Sequence, residues 1–199
     1  MSLGNESTEL RLFIALPIPD PVKDEIERVQ DELRAGLPPK SVRWTKREQF
    51  HLTLRFLGQV SSQRVPALTE AVRVACSDFA ALKLRAERIG CFPSLRFPRV
   101  LWVWVNDDAE QLPLLQERIE VAVGSFAAEA DEKDFTGHVT IARINGIKRA
   151  QAEALSQRAQ EFVDRRFGEW TANEVRLMQS ELSQSGARHT VLGRFVLAG

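Results

Sequence analysis

Apolar positions along this chain follow two periods, one of about two residues and one of about three and a half. "RLFIALPIP" (Arg11 to Pro19) is a short apolar run closed by prolines, the pattern of a buried strand. Asp20 and Pro21 then supply a cap and a first helical position. Val22, Ile26, Val29 and Leu33 recur at helical spacing as far as Gly36. "GLPPKSVRWTKREQ" reads as a loop with a short strand at Val42 to Trp44. "FHLTLRFLGQV" (Phe50 to Val60) alternates, with Leu52, Leu54 and Phe56 on one face and His51, Thr53 and Arg55 on the other. Ser62 caps a second helix carrying Val65, Leu68, Val72 and Ala75. "FAALKLRAERIGCF" alternates as a half-exposed strand, and "PSLRFPR" breaks it with prolines.

The second half repeats this order. "VLWVWV" (Val100 to Val105) predicts a strand with Trp102 and Trp104 on one face. A helix with Leu112, Leu115, Ile119, Val123 and Phe126 follows, then a charged turn, "DEKDFTG". "HVTIARI" (His138 to Ile144) alternates like the His51 segment. A helix over Arg149 to Arg165 carries Leu155, Phe162 and Val163. Two strands, Thr171 to Leu182 and His189 to Leu197, close the chain around "SQSGAR". His51 and His138 stand 87 residues apart, as do the helix starts Ser62 and Arg149. The strand starts Arg11 and Val100 are 89 apart, and the helix starts Pro21 and Ala109 are 88 apart. The offsets imply a duplicated lobe of about 90 residues. The lobes are expected over residues 10–92 and 98–182, with the last strand reaching 197 and a disordered tail at 1–9. The expected fold class is α+β and bilobal, with two antiparallel or mixed sheets around a central cleft and helices outside.

Composition narrows the partners. Lys plus Arg and Asp plus Glu are both 27, so the formal net charge is zero. A protein that coats nucleic acid through its phosphates is normally basic, so any nucleic-acid contact here is expected at an end or a single nucleotide. Cys76 and Cys91 are too few for a disulfide framework or a zinc site, and read as reduced thiols. No apolar run approaches the roughly 18 residues of a membrane helix. "MSLGNESTEL" lacks the basic and apolar parts of a secretory signal. A cytoplasmic monomer without membrane contact is expected.

Two of the three histidines open His-x-Thr at matched positions: His51-Leu52-Thr53 and His138-Val139-Thr140. If the halves face each other, two imidazoles and two hydroxyls share one small volume. With an ordinary pKa of about 6.5, one imidazole can accept a proton from water while the other donates to a departing oxygen. Threonine hydroxyls can donate to phosphoryl oxygens as charge builds there. Arg55 shares the alternating face of His51 and Thr53 and could add a cationic donor. Arg143 falls on the opposite face of an ideal strand and reaches the cleft only if the strand twists. The two halves are nearly symmetric, so the residues leave open which histidine is acid and which is base.

"HLTLRFLG" and "HVTIAR", with "RLFIALPIP", the "RW" before the first motif and "CFPSLRFPRVLWVWV" between the motifs, resemble the 2H phosphoesterase superfamily. The closer resemblance is to its RNA 2′,3′-cyclic phosphodiesterases, the LigT-like proteins also called 2′-5′ RNA ligases. It spans residues 11–197. It implies metal-independent hydrolysis of a terminal RNA 2′,3′-cyclic phosphate to a 2′-phosphate, with reversible 2′-5′ ligation, and no cofactor. It implies His51 as proton donor, His138 as proton acceptor and Thr53 and Thr140 on the phosphate. Two departures stand out. Gly137 precedes the second motif where many relatives have proline, which loosens the backbone there. The chain has no tyrosine where relatives often carry an aromatic near the last strand, and His189 lies in that neighbourhood.

Other readings attach to particular residues. His51, His138 and His189 could make three metal ligands, but no acid or cysteine stands at ligand spacing, and no metal is expected. His189 has no partner motif and reads as a surface or core-edge residue. Trp102 and Trp104 are expected to pack against helices. Phe92 and the Pro93 to Pro98 loop could hold a terminal base by stacking. "KSVRWTKR" and "RINGIKR" could steer an RNA end. The substrate alternatives are a cyclic phosphate on a small nucleotide or an ADP-ribose derivative. The alternative class is a nucleotide-binding domain without turnover.

Overall fold

The structure, a computed structural model, describes residues 8–35, 42–94, 97–127, 134–144, 147–183 and 186–197. Gly36 and the loop after it, part of the Pro93 to Pro98 loop, the start of the charged turn, the centre of "SQSGAR" and the tail before Thr8 lie outside them. The chain runs β1 (Glu9–Pro17), α1 (Asp20–Arg34), β2 (Val42–Trp44), β3 (His51–Ser61), α2 (Val65–Cys76), β4 (Leu82–Phe92), β5 (Val100–Asn106), α3 (Gln111–Val123), β6 (His138–Ile144), α4 (Arg149–Gln160), β7 (Arg166–Ala172), β8 (Glu174–Ser183) and β9 (Gly186–Val196).

Among the described residues, every strand pairing is antiparallel. The strands form one curled sheet in the order β7-β4-β5-β6-β3-β1-β8-β9, with β2 on β6. The two expected sheets therefore meet, and they do so through a single paired position, Leu52 with Val139. Sheet order departs from chain order at β4. It forms a hairpin with β5 and pairs with β7, so it sits among the strands of the second half, while β8 pairs with β1 and carries β9 at the sheet edge.

α1 buries Val22, Ile26, Val29 and Leu33, the stripe its periodicity predicts, and α2 buries Leu68, Val72 and Ala75. These join Leu12, Ile14, Leu16, Leu52, Leu54, Leu101, Val103 and Val139 in one core on one side of the sheet. The other side of the sheet is open. One strand escaped the sequence pattern. The predicted helix to Arg165 ends at Gln160, and β7 begins at Arg166. "RFGEWTA" alternates, with Phe167 inward, but Gly168 at φ +136 interrupts it and its short length hides it beside a helix.

Among the described residues, no helix is long and apolar enough to cross a membrane.

Candidate active site

The two His-x-Thr segments start β3 and β6, and their pairing with the neighbouring strand is identical under an 87-residue shift. Pro17, Leu16, Ala15, Ile14 and Phe13 pair with His51, Leu52, Thr53, Arg55 and Phe56. Trp104, Val103, Trp102, Leu101 and Val100 pair with His138, Val139, Thr140, Ala142 and Arg143. Each strand carries a bulge at the same place, leaving Leu54 and Ile141 as the extra residues. Helices of the opposite half hold the two bulged carbonyls. Gln30 of α1, 4% exposed, donates to Ile141 O at 2.8 Å, and Gln116 of α3 reaches Leu54 O at 3.4 Å. Because Leu52 faces Val139 in an antiparallel pair, His51 comes beside Thr140 and His138 beside Thr53 on the open face.

Both imidazoles are anchored alike. His51 Nδ1 lies 2.7 Å from Gln49 O, and His138 Nδ1 lies 2.7 Å from Thr136 O. A carbonyl only accepts, so each Nδ1 carries the proton and each Nε2 is left for chemistry. Burial pushes the His51 pKa down to about 4, His189 and His138 push it the same way, and the Gln49 bond opposes them. Burial also lowers His138. The Thr136 bond opposes that shift, and the Arg143 charge adds to it.

His189, read from sequence as a surface or core-edge residue, stands in this site. Its ring meets His51 edge-on at 5.2 Å and Phe13 at 5.0 Å, while Phe13 lies 4.8 Å from His51. A cavity of about 80 Å³ opens there, lined by Lys23, Glu48, His51, Arg176, Met178 and His189. A lone histidine on a C-terminal strand carries no motif. Only the β1–β8–β9 pairing brings it to the first motif.

The bulges exchange the expected roles of the two arginines. Past Leu54 the alternation of β3 slips by one, so Arg55 turns to the helix side. It is 3% exposed there, with Nε 2.9 Å from Glu120 Oε2 of α3. It is not on the face of His51 and Thr53. The same slip in β6 carries Arg143, exposed, onto the face of His138 and Thr140. Phe56, 52% exposed and 5.8 Å from Phe13, occupies the place in β3 that Arg143 holds in β6.

Phe92 lies edge-on to His138 at 5.2 Å and 5.1 Å from Trp102. Trp102 and Trp104 share the open face with Thr140 and His138 and do not pack on the helices. Gly137 does not loosen its segment. It is buried, a Cβ there would collide with the Val105 carbonyl oxygen, and its own carbonyl accepts from Val105 N at 2.8 Å. Among the described residues, no three His, Cys, Asp or Glu side chains group as metal ligands.

Paired imidazoles, two threonine hydroxyls and the Arg143 cation on one face of a curled antiparallel sheet match the layout expected of a two-histidine phosphoesterase. The family model described as LigT like Phosphoesterase matches residues 16–102 and again 103–189, two copies 87 residues apart with His51 and His138 in corresponding places. The chain belongs to the LigT-like phosphoesterase family. An RNA 2′,3′-cyclic phosphodiesterase of Aeropyrum pernix is 32% identical over 84% of this chain and 92% of its own. The protein of that name in Methanocaldococcus jannaschii is 28% identical over 92% and 98%. A crystal structure from Thermus thermophilus superposes with a TM-score of 0.78 at 26% identity, covering 96% of this chain and 99% of that one.

Proposed function

We propose that this chain hydrolyses the 2′,3′-cyclic phosphate at an RNA 3′ end to a 2′-phosphomonoester. The observation that carries the reading is the matched pair of imidazoles, each pinned through Nδ1 to a carbonyl and flanked by a threonine. Relatives named for this activity support the substrate class. His138 Nε2 takes a proton from water as its oxygen attacks phosphorus. The bond from phosphorus to O3′ breaks, and His51 Nε2–H protonates that oxygen. Solvent then resets both rings. Thr53 and Thr140 donate to the non-bridging oxygens, Arg143 offsets their charge, and Phe92 covers the terminal base. With the 5′-hydroxyl of a second RNA entering in place of water, the same two transfers give 2′-5′ ligation, and their reversal undoes it.

A substrate panel tests the reading: 2′,3′-cyclic mononucleotides, RNA oligomers with the cyclic end, and ADP-ribose cyclic phosphate, with the product isomer identified. A 2′-phosphate from RNA is expected. A 3′-phosphate overturns the role of His51, and binding without turnover overturns the enzyme reading.

The pH dependence follows from burial. Both rings hold a proton more weakly than a free histidine. Limbs of kcat/KM report the free enzyme, so they fall on the acid side of about 6.5. A bound phosphate anion stabilises both protonated rings, so the limbs of kcat lie higher. His189→Phe keeps a ring against Phe13 but removes a like charge, and moves the His51 limb upward. Limbs of kcat/KM above about 7 in the wild type contradict this.

A further inference from the structure

The open face of β4 and β5 carries aromatic surface that hydrolysis of the cyclic ring does not require. Trp102 and Trp104 are next-but-one on β5, about 6.6 Å apart along the strand, the scale of one nucleotide step in an extended single strand. They pair with Thr140 and His138, so the row begins beside the second motif. Neither is part of the helix-side core or packs on it.

Each indole is held in place. Trp102 lies over Gly90 of β4, where a Cβ would overlap the ring, and the Phe92 ring stands beside it, tilted, at 5.1 Å. Trp104 is covered by a guanidinium: Arg88 Cζ stands 4.9 Å from its ring. Arg88 gets there because β4 bulges between Glu87 and Ile89. The bulge puts Arg88 at φ +57, with its N–H donating to Arg165 O at 2.8 Å. Its side chain is 55% exposed, and its Nε stands 3.8 Å from Glu87 Oε1, a long ion pair that leaves the outer guanidinium edge towards solvent. Arg143, also exposed, borders the row on the β6 side.

We infer that Trp102, Trp104 and Arg88 form a stacking track for the single-stranded RNA that precedes the cyclic phosphate. The inference rests on the activity proposed above and extends it, because it makes an oligomer rather than a mononucleotide the preferred substrate. Three features select this occupant. Rings spaced by one nucleotide step accept bases of any sequence. Guanidinium groups beside them match a phosphate backbone and are themselves stacking planes. The row is continuous with His138 and Thr140. A zero net charge is compatible with this, since the contact is short and does not wrap a duplex.

The test compares a 2′,3′-cyclic mononucleotide with a four-nucleotide RNA ending in the cyclic phosphate, in the wild type, Trp104→Leu and Trp104→Phe. The wild type favours the oligomer in kcat/KM. Trp104→Leu reduces the oligomer-to-mononucleotide ratio by about 5- to 100-fold, and Trp104→Phe restores most of it. Calorimetric titration with a four-nucleotide RNA ending in a 2′-phosphate, against the 2′-mononucleotide, reads the same preference without turnover. Equal kcat/KM and equal Kd for long and short ligands overturn the track and leave the hydrolase standing. Tighter oligomer binding that Trp104→Leu weakens, in a protein that hydrolyses no cyclic phosphate, overturns the hydrolase and leaves the track standing. A ratio unchanged in Trp104→Leu overturns the assignment to this strand.

Discussion

His51→Ala and His138→Ala each lower kcat on an RNA 2′,3′-cyclic phosphate by about 10²–10⁴, or about 3–5 kcal/mol of barrier. In the proposed mechanism, without His138 no group removes the proton of the attacking water. Without His51 the 3′ oxygen departs as an alkoxide. The double variant falls far short of the product of the single losses, because the two transfers belong to one step and either absence already cripples it. On the same mechanism, Thr53, Thr140 and Arg143 supply the residual rate. The loss is chemical and not a loss of fold, since both rings stand on the open face, outside the helix-side core. A stability measurement separates the two. His51 binds its proton at about 4 in the folded chain against about 6.5 unfolded. The unfolded state is therefore protonated first, and wild-type stability declines as pH falls from about 6.5 towards 4. His51→Ala removes that contribution and flattens the decline. Near-wild-type turnover in either single variant, measured under single-turnover conditions, removes the assignment.

The chemistry of this molecule is written in its sequence at two levels. His-x-Thr at an 87-residue interval survives into the structure as an identical pairing register, because duplication preserves spacing as well as residue type. The apolar stripes of α1 and α2 survive for the ordinary reason that periodicity reports which face is buried. What alternation cannot encode is a bulge. Leu54 and Ile141 are ordinary residues in apolar strands, and the glutamines that hold their carbonyls, Gln30 and Gln116, come from helices far away in sequence. One inserted residue reverses the face of everything beyond it, so regular alternation puts both Arg55 and Arg143 on the wrong side. The tryptophans fail for another reason. A large apolar side chain in a strand reads as core wherever it points, and only the pairing of β5 with β4 and β6 shows that Trp102 and Trp104 look away from the helices. His189 needs the placement of β8 and β9 beside β1, which no local pattern carries.

The two arginines provide the sharpest separation of stability from function. Arg55→Ala destabilises the fold by about 2–4 kcal/mol, since it strands the Glu120 carboxylate against the core with its cation removed. The lower end of that range is expected because Glu120 is 29% exposed and water relieves part of the loss. An Arg55→Met/Glu120→Leu pair, which removes both charges and keeps the volume, recovers most of it. KM for the cyclic phosphate is unaffected at temperatures where Arg55→Ala remains folded. Arg143→Ala behaves in the opposite way. Its side chain is exposed, so melting changes little. Loss of a cation from the phosphate lowers kcat/KM by about 10- to 100-fold, the weight of one hydrogen bond to a charged group. It also has a titration signature. The Arg143 charge helps hold the His138 pKa down, so its removal lets His138 keep its proton to higher pH, and the corresponding limb of kcat/KM moves upward. The same alternating pattern that places Arg55 in the site predicts the reverse outcome, a catalytic defect in Arg55→Ala and a stability defect in Arg143→Ala. Thermal melts and pH profiles of the two variants decide between the bulged and the regular strand.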